Sequence, residues 1–222
     1  LKKTHSLPLN IPNIKKVEKI DSKNKRYDKG TYKENHNPMQ CPKSIKEEVK
    51  EYIQSSPHTI MTSRWNEATW EENCNFRKKN PYIGCIYCSP TSISYDISKE
   101  ATIFVLEMNN DRNQIMGIGL IRNRPVLNKY FVYDNDRYNR FVYTSKTRID
   151  REDMNEEENK VMQVFDILCF TGNTHMKRGQ GLKAFPKEML YKMSHKLDLV
   201  KFITTMFKTR ASQKNVREEE KI

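Results

Sequence analysis

The sequence predicts an α+β protein, a small twisted β-barrel flanked by helices, with basic extensions at both ends. Two patterns point there. Helical apolar spacing occurs early and late in the 222 residues, and short β-like runs gather between them. Strands in the middle with helices at the ends indicate α+β rather than a doubly wound α/β sheet. Five or more short strands closing on each other make a small barrel. Charge divides the chain in the same way. Residues 1–40 hold ten Lys/Arg against four acids, residues 183–222 hold ten against five, and the body between holds 20 against 19. The net charge of +12 therefore belongs mostly to the ends. Three parts follow: an irregular basic arm (1–40), a core domain (41–185), and a C-terminal helix with a charged tail (186–222).

The arm carries Pro8, Pro12 and Pro38 among many Lys and Asn, without periodicity. A helix starts at Ser44, where SIKE fits a capping box with Glu47 reaching back to the Ser44 amide. Ile45, Val49, Tyr52 and Ile53 share its inner face, and Ser55, Ser56 and Pro57 end it. HTIMTSRW (58–65) reads as a strand. Asn66 caps a short helix through EATWEENCNFRKK, which Asn80 and Pro81 stop. IGCIYCSP (83–90) is short and β-like. TIFVLEM (102–108) and IMGIGLI (115–121) form a hairpin through NNDRNQ. KYFVY (129–133) and RFVYT (140–144) read as a second pair. Val161, Val164, Phe165 and Leu168 mark a helix over 155–170, with glutamates 156–158 in its first turn and Gly172 just beyond its end. Pro186 opens a last helix with a stripe from Leu190 to Phe207, and the chain frays after about Arg210.

Composition excludes some classes. No run of eighteen apolar residues exists, so no membrane span is expected. The start, LKKTHSLPLNIPNIKK, lacks an apolar stretch of signal-peptide length. Five cysteines, an odd number, then predict free thiols in a reducing, intracellular compartment, cytoplasm or nucleus. Basic arms on a near-neutral body add sequence-independent affinity for phosphate polymers; the plainer reading is that they keep the chain soluble.

Residues 122–151 carry eight Lys/Arg against three acids, interleaved with six aromatic residues. Arg122, Arg124, Arg137 and Arg140 are the candidates to grip a nucleic-acid backbone, since cations between rings suit phosphates and stacked bases. The alternative is an ordinary sheet with rings inside and arginines in water. Trp65 and Trp70 flank NEAT at a strand-to-helix junction and are candidate walls for an unpaired base, or else core residues. Gly117 and Gly119 lie two apart on one strand face, which lets a ring, a backbone or a ligand approach closely. With Asn109 they form the candidate pocket. THMKRGQGL (174–182) has the wrong spacing for a P-loop. It reads as a basic, glycine-containing loop in which His175, Lys177 and Arg178 contact phosphate.

Cys85 and Cys88 form CIYC and, with Cys74, Cys41 or His58, could make a zinc site. On a strand the first two point to opposite faces, which opposes chelation. No cofactor is expected. No catalytic set stands out, because His175 has no assigned nucleophile or orienting carboxylate.

SRWNEATWEENC, the hairpin IFVLEMNNDRNQIMGIGLIRNRP and YNRFVY before a late helix together resemble a PUA-like domain of the EVE, ASCH or YTH type over residues 55–185. That resemblance implies a barrel that binds RNA or a modified base in a pocket, and in some ASCH members a ribonuclease. FVLEMNN, GIGLI, YNRF and HMKRGQG also resemble uncharacterised proteins of large nucleocytoplasmic DNA viruses, which implies a virion or viral factory. The expected function is a nucleic-acid-binding module, RNA or DNA. The alternatives are a structural virion protein whose arms tether viral structural proteins or packaged genome, and a ribonuclease using His175.

Overall fold

A buried strand that alternates apolar residues on both faces needs a layer on each side, and two central strands here have that character. The structure, a computed structural model, describes residues 44–55 and 58–219. The arm over 1–40, Cys41, Ser56 and Pro57 lie outside them.

The elements are α1 (Ile45–Ser55), β1 (His58–Trp65), α2 (Glu67–Lys79), β2 (Cys85–Ser89), β3 (Thr102–Asn109), β4 (Gln114–Arg122), β5 (Phe141–Ser145), β6 (Arg148–Asp150), α3 (Glu156–Phe170), β7 (Lys183–Ala184), α4 (Lys187–Ser194) and α5 (Leu199–Glu219). They form a mixed five-stranded sheet, β6-β4-β3-β1-β7, and a separate two-stranded sheet, β2-β5. The expected closed barrel is corrected: β6 and β7 are the two edges of an open sheet. The cause is β1, which pairs with β3 in parallel, from His58 against Thr102 to Trp65 against Asn109. A parallel pair needs a long crossover, and α2 with β2 supplies it. β2 therefore leaves the main sheet and pairs with β5.

Alternation along the strands separates two cores. Ile60, Phe104, Leu106, Ile115 and Ile118 face α3, α4 and α5, meeting Val161, Phe165, Leu190, Ile203 and Phe207. Met61, Trp65, Ile103, Val105 and Ile121 face the β2-β5 ribbon and α2, meeting Ile86, Tyr87, Tyr143 and Trp70. The C-terminal helices are thus part of the main core rather than an appendage.

Local signals hold where the sequence placed them. The Ser44 amide donates to Glu47 at 2.8 Å. Asn66 caps α2 as expected, and the structure adds Thr69 to complete a capping box; at α3 it shows a box beyond the sequence reading, Asn155 with Glu158. Three readings change. KYFVY (129–133) is irregular, because the Asn139 carboxamide accepts from the Val132 and Tyr133 amides and donates to the Tyr133 carbonyl. The last helix is two, since Asp198 accepts from the Lys201 amide at 3.0 Å and starts α5 anew. α5 also continues past Arg210 to Glu219.

Candidate functional site

Strand ends in an open sheet leave a crevice where the chain turns away to either side. At the carboxyl ends of β1 and β3 a cleft of about 250 Å³ opens. Ser63, Arg64 and Trp65 line it from β1, Asn66 and Thr69 from the start of α2, and Asn110 from the β3–β4 turn. Cys88, Tyr133, Tyr138 and the Gly179-Gln180-Gly181 stretch complete it. A second compartment of about 320 Å³ shares Tyr138 and Gln180 and adds Pro90, Asn135, Arg137 and Arg140.

The loop THMKRGQGL is therefore a wall of the cleft. It is fixed from three sides. The Met176 amide donates to the Cys169 carbonyl at 2.7 Å, Arg64 Nε donates to the Met176 carbonyl, and Asn110 Nδ2 donates to the Lys177 carbonyl at 3.1 Å. Gly181 has φ +64°, and a Cβ there would run into Ser89 and lie 3.1 Å from Pro90 Cδ. A side chain is excluded twice over, by conformation and by space.

Arg64 extends the face of Ile60 and Thr62. Its Nη1 is enclosed without a hydrogen-bond partner, and it forms no ion pair with a carboxylate among the described residues. Burial lowers its affinity for the proton. Asn110 Oδ1 is a second enclosed, unpartnered atom. Each such group costs about 1–3 kcal/mol, which marks this corner as one that holds polar atoms in reserve.

The predicted residues divide. Trp65 lines the cleft and donates from Nε1 to the Tyr133 hydroxyl at 2.5 Å. Trp70 stands behind it, ring centroids 5.4 Å apart and edge-on, with the Arg77 guanidinium 5.6 Å from its ring centroid. Tyr138 is half-buried, lines both compartments and meets the Tyr133 ring edge-on with centroids 6.2 Å apart. Arg137 and Arg140 are exposed in the second compartment. Arg122 and Arg124 are elsewhere. Arg122 pairs with Thr102 at the far end of β3 from Asn109, roughly 20 Å away at strand rise, and Arg124 pairs with Glu100. Gly117 and Gly119 share a face as expected, but protein fills it. A Cβ on Gly119 would meet the Tyr87 hydroxyl and Cys85 Sγ, and one on Gly117 would meet Arg148 and Glu107. Asn109 is buried in the turn, accepting from the Asp111 and Arg112 amides at 3.1 Å each; its neighbour Asn110 reaches the cleft. His175 has its Nδ1 enclosed without a partner. Lys177 lies with its ammonium 5.9 Å from the Phe170 ring centroid, and Arg178 is exposed.

Sequence reasoning missed Arg64, Asn110 and Gln180. A signal existed for the first: a cation near the end of a strand, on the face that Ile60 and Thr62 turn inward. Cys85 and Cys88 are both buried, and burial pushes each thiol up to about 12. Cys85 faces Gly119 while Cys88 faces the cleft. Among the described residues no three His, Cys, Asp or Glu side chains group as a metal site, and no helix is long and apolar enough to cross a membrane.

Comparison of the chain with protein-family models, curated proteins and solved structures gives no significant match.

Proposed function

We propose that this chain binds single-stranded nucleic acid and takes one unpaired base into the cleft. The observation that carries this reading is the pair of joined compartments. One offers a tyrosine ring, an unpaired guanidinium and amide groups; the other offers Arg137 and Arg140; Tyr138 and Gln180 belong to both. A base stacked on an aromatic side chain contributes about 1–3 kcal/mol whatever its identity. The phosphates on either side of it then meet Arg137 and Arg140, where charge-assisted bonds position the strand. A duplex holds its bases stacked and out of reach, so it gains only the phosphate contacts. The basic residues of 1–40 add affinity without selecting sequence.

Binding of the intact protein to single- and double-stranded RNA and DNA across a salt series tests this. Single strands should bind more tightly than duplexes. Replacing Arg137 and Arg140 by alanine should flatten the slope of log affinity against log salt by about 1.4, two phosphate contacts' worth on a single strand. An unchanged slope, or equal binding of duplex and single strand, would refute the reading.

A further inference from the structure

We infer that the joined compartments hold a nucleotide with a terminal phosphate, the base in the first and the phosphomonoester in the second. A phosphorylated strand end and a free nucleoside monophosphate share that chemistry. The inference rests on the nucleic-acid reading above and specifies which nucleotide the site prefers.

The two cations of the second compartment stand on a tightly wound segment. The Tyr138 amide donates to the Asn135 carbonyl and the Asn139 amide to the Asp136 carbonyl, each at 3.0 Å. The Asn135 side chain accepts from the Arg137 amide at 3.1 Å. The Asn139 carboxamide ties the segment back to Val132 and Tyr133. In successive turns of this kind, side chains three positions apart project the same way. Arg137 and Arg140 are three apart, both are exposed, and both line the same compartment. The backbone beneath them is set before any ligand arrives.

Their charge is unanswered by the protein. Neither guanidinium meets a carboxylate among the described residues. Arg140 lies instead with its guanidinium 5.4 Å from the Phe141 ring centroid. Asp134 and Asp136 are close in sequence but do not line the compartment. Two cations facing one volume of about 320 Å³ repel each other until an anion enters. A phosphate inside a strand brings one charge and two free oxygens. A terminal phosphate brings nearly two charges at pH 7 and three oxygens, and guanidinium groups bond such oxygens in pairs. For a base within a strand the two arginines meet separate phosphates; at a strand end both turn to one. The first compartment then takes the base. Tyr138 and Gln180 belong to both compartments, so a single ring divides them, as a single sugar divides a base from its own phosphate.

The test is fluorescence anisotropy of the intact protein with one internally labelled single strand. Its 5′ end carries a phosphate, a hydroxyl or a methyl phosphate, and a further version carries a 3′-phosphate. Unlabelled strand and adenosine 5′-monophosphate serve as competitors. The phosphate-ended strand should bind about tenfold more tightly than the hydroxyl-ended one, the worth of one charge-assisted bond. The methyl phosphate keeps the group but removes one charge, and should bind like the hydroxyl. Arg137→Gln and Arg140→Gln should each erase the preference. Thermal melts confirm that the variants fold, and the wild-type comparison of ends stands even if one does not. A preference at either end supports the inference and gives the polarity. Displacement by the mononucleotide makes the free nucleotide the occupant, and displacement by the strand alone makes it the strand end; both support the inference. Equal affinity for phosphate and hydroxyl ends, a methyl phosphate as good as the phosphate, or a preference that survives both folded variants overturns it and leaves strand binding intact. Failure of every strand to bind overturns the nucleic-acid reading itself.

Discussion

Gly181 and Gly172 make a controlled pair. Their φ values are +64° and +73°, so alanine at either adopts a similar left-handed backbone. They differ in surroundings. Nothing lies within 4 Å of a Cβ on Gly172, whereas a Cβ on Gly181 overlaps Ser89 and lies 3.1 Å from Pro90 Cδ. Gly172→Ala should therefore pay only the backbone penalty, about 1 kcal/mol. Gly181→Ala adds an overpacking penalty of about 1–3 kcal/mol, for a total of about 2–4 kcal/mol. In a domain of this size each kcal/mol lowers the melting temperature by about 2–4 °C. Melting should fall by about 3 °C for Gly172→Ala and by about 6–12 °C for Gly181→Ala. The loop can relieve the overlap only by moving off Ser89, which displaces Gln180 from both compartments. Strand binding should then weaken for Gly181→Ala and hold for Gly172→Ala. Adding Ser89→Gly removes the obstructing atoms and should recover most of the difference. Calorimetry and anisotropy on the same samples give both readouts. If Gly181→Ala costs no more than Gly172→Ala and binds strands as well, the loop does not shape the cleft.

Glu107 is 2% exposed and accepts from Arg148 at 2.7–3.0 Å and from the Tyr87 hydroxyl at 2.8 Å. Glu107→Gln leaves Arg148 with the half-exposed Asp150 as its carboxylate partner, so the urea midpoint should fall by an amount equal to about 1.5–3 kcal/mol, the worth of the lost charge-assisted bonds, and no measurable loss would refute the pair's role. Burial alone would raise the Glu158 carboxyl, but the Arg210 guanidinium and the Asn155 amide outweigh it and hold it below its ordinary value. A lowered carboxyl adds stability above its unfolded pKa of about 4.3 and loses it as pH falls through the folded value. Glu158→Gln should thus melt lower than wild type at pH 7, with the gap closing in acid; a gap independent of pH would contradict this. Burial pushes the thiols of Cys85, Cys88 and Cys169 up to about 12, while Cys74 is half-buried and raised less. Among these four, iodoacetamide should label Cys74 first in the native protein, read by peptide mass mapping, and equal labelling of Cys88 would show that the cleft is more open than its geometry implies.

Features encoded within a few residues were legible in the sequence. Ser44 with Glu47, Asn66 as a cap, and Gly172 after α3 act over a few positions, and each does in the structure what its residue type allows. The hairpin of β3 and β4 was equally local. What failed needed information from far along the chain. The parallel pairing of β1 with β3 joins residues 44 apart, and nothing in either strand names its partner. With that pairing in place the main sheet is open, edged by β6 and β7, and β2 pairs with β5 outside it. β7 is two residues long and lies 121–123 positions from its partners in β1. The break before α5 was readable, because Asp198 is a capping residue, but the apolar stripe runs through it unbroken and masked it.

The site followed the same division, with a chemical twist. Trp65 and the THMKRGQGL loop were singled out for composition, and both line the cleft. Arginine is numerous here, and what distinguishes Arg64 is an enclosed guanidinium nitrogen without a partner. Arg124, Arg148, Arg151 and Arg210 all meet carboxylates. Arg64 has none among the described residues, because its strand neighbours Thr62, Ser63, Trp65 and Met108 carry no acid and its loop offers only a carbonyl. A cation becomes available to a ligand when the fold withholds its acid, and acids are withheld in three dimensions. The same reasoning demotes Asn109 and promotes Asn110. Both are asparagines in one turn, but the first spends its carboxamide on the turn and the second keeps an oxygen unused. Composition can nominate a segment; only the account of who bonds whom identifies the atoms left to bind something else.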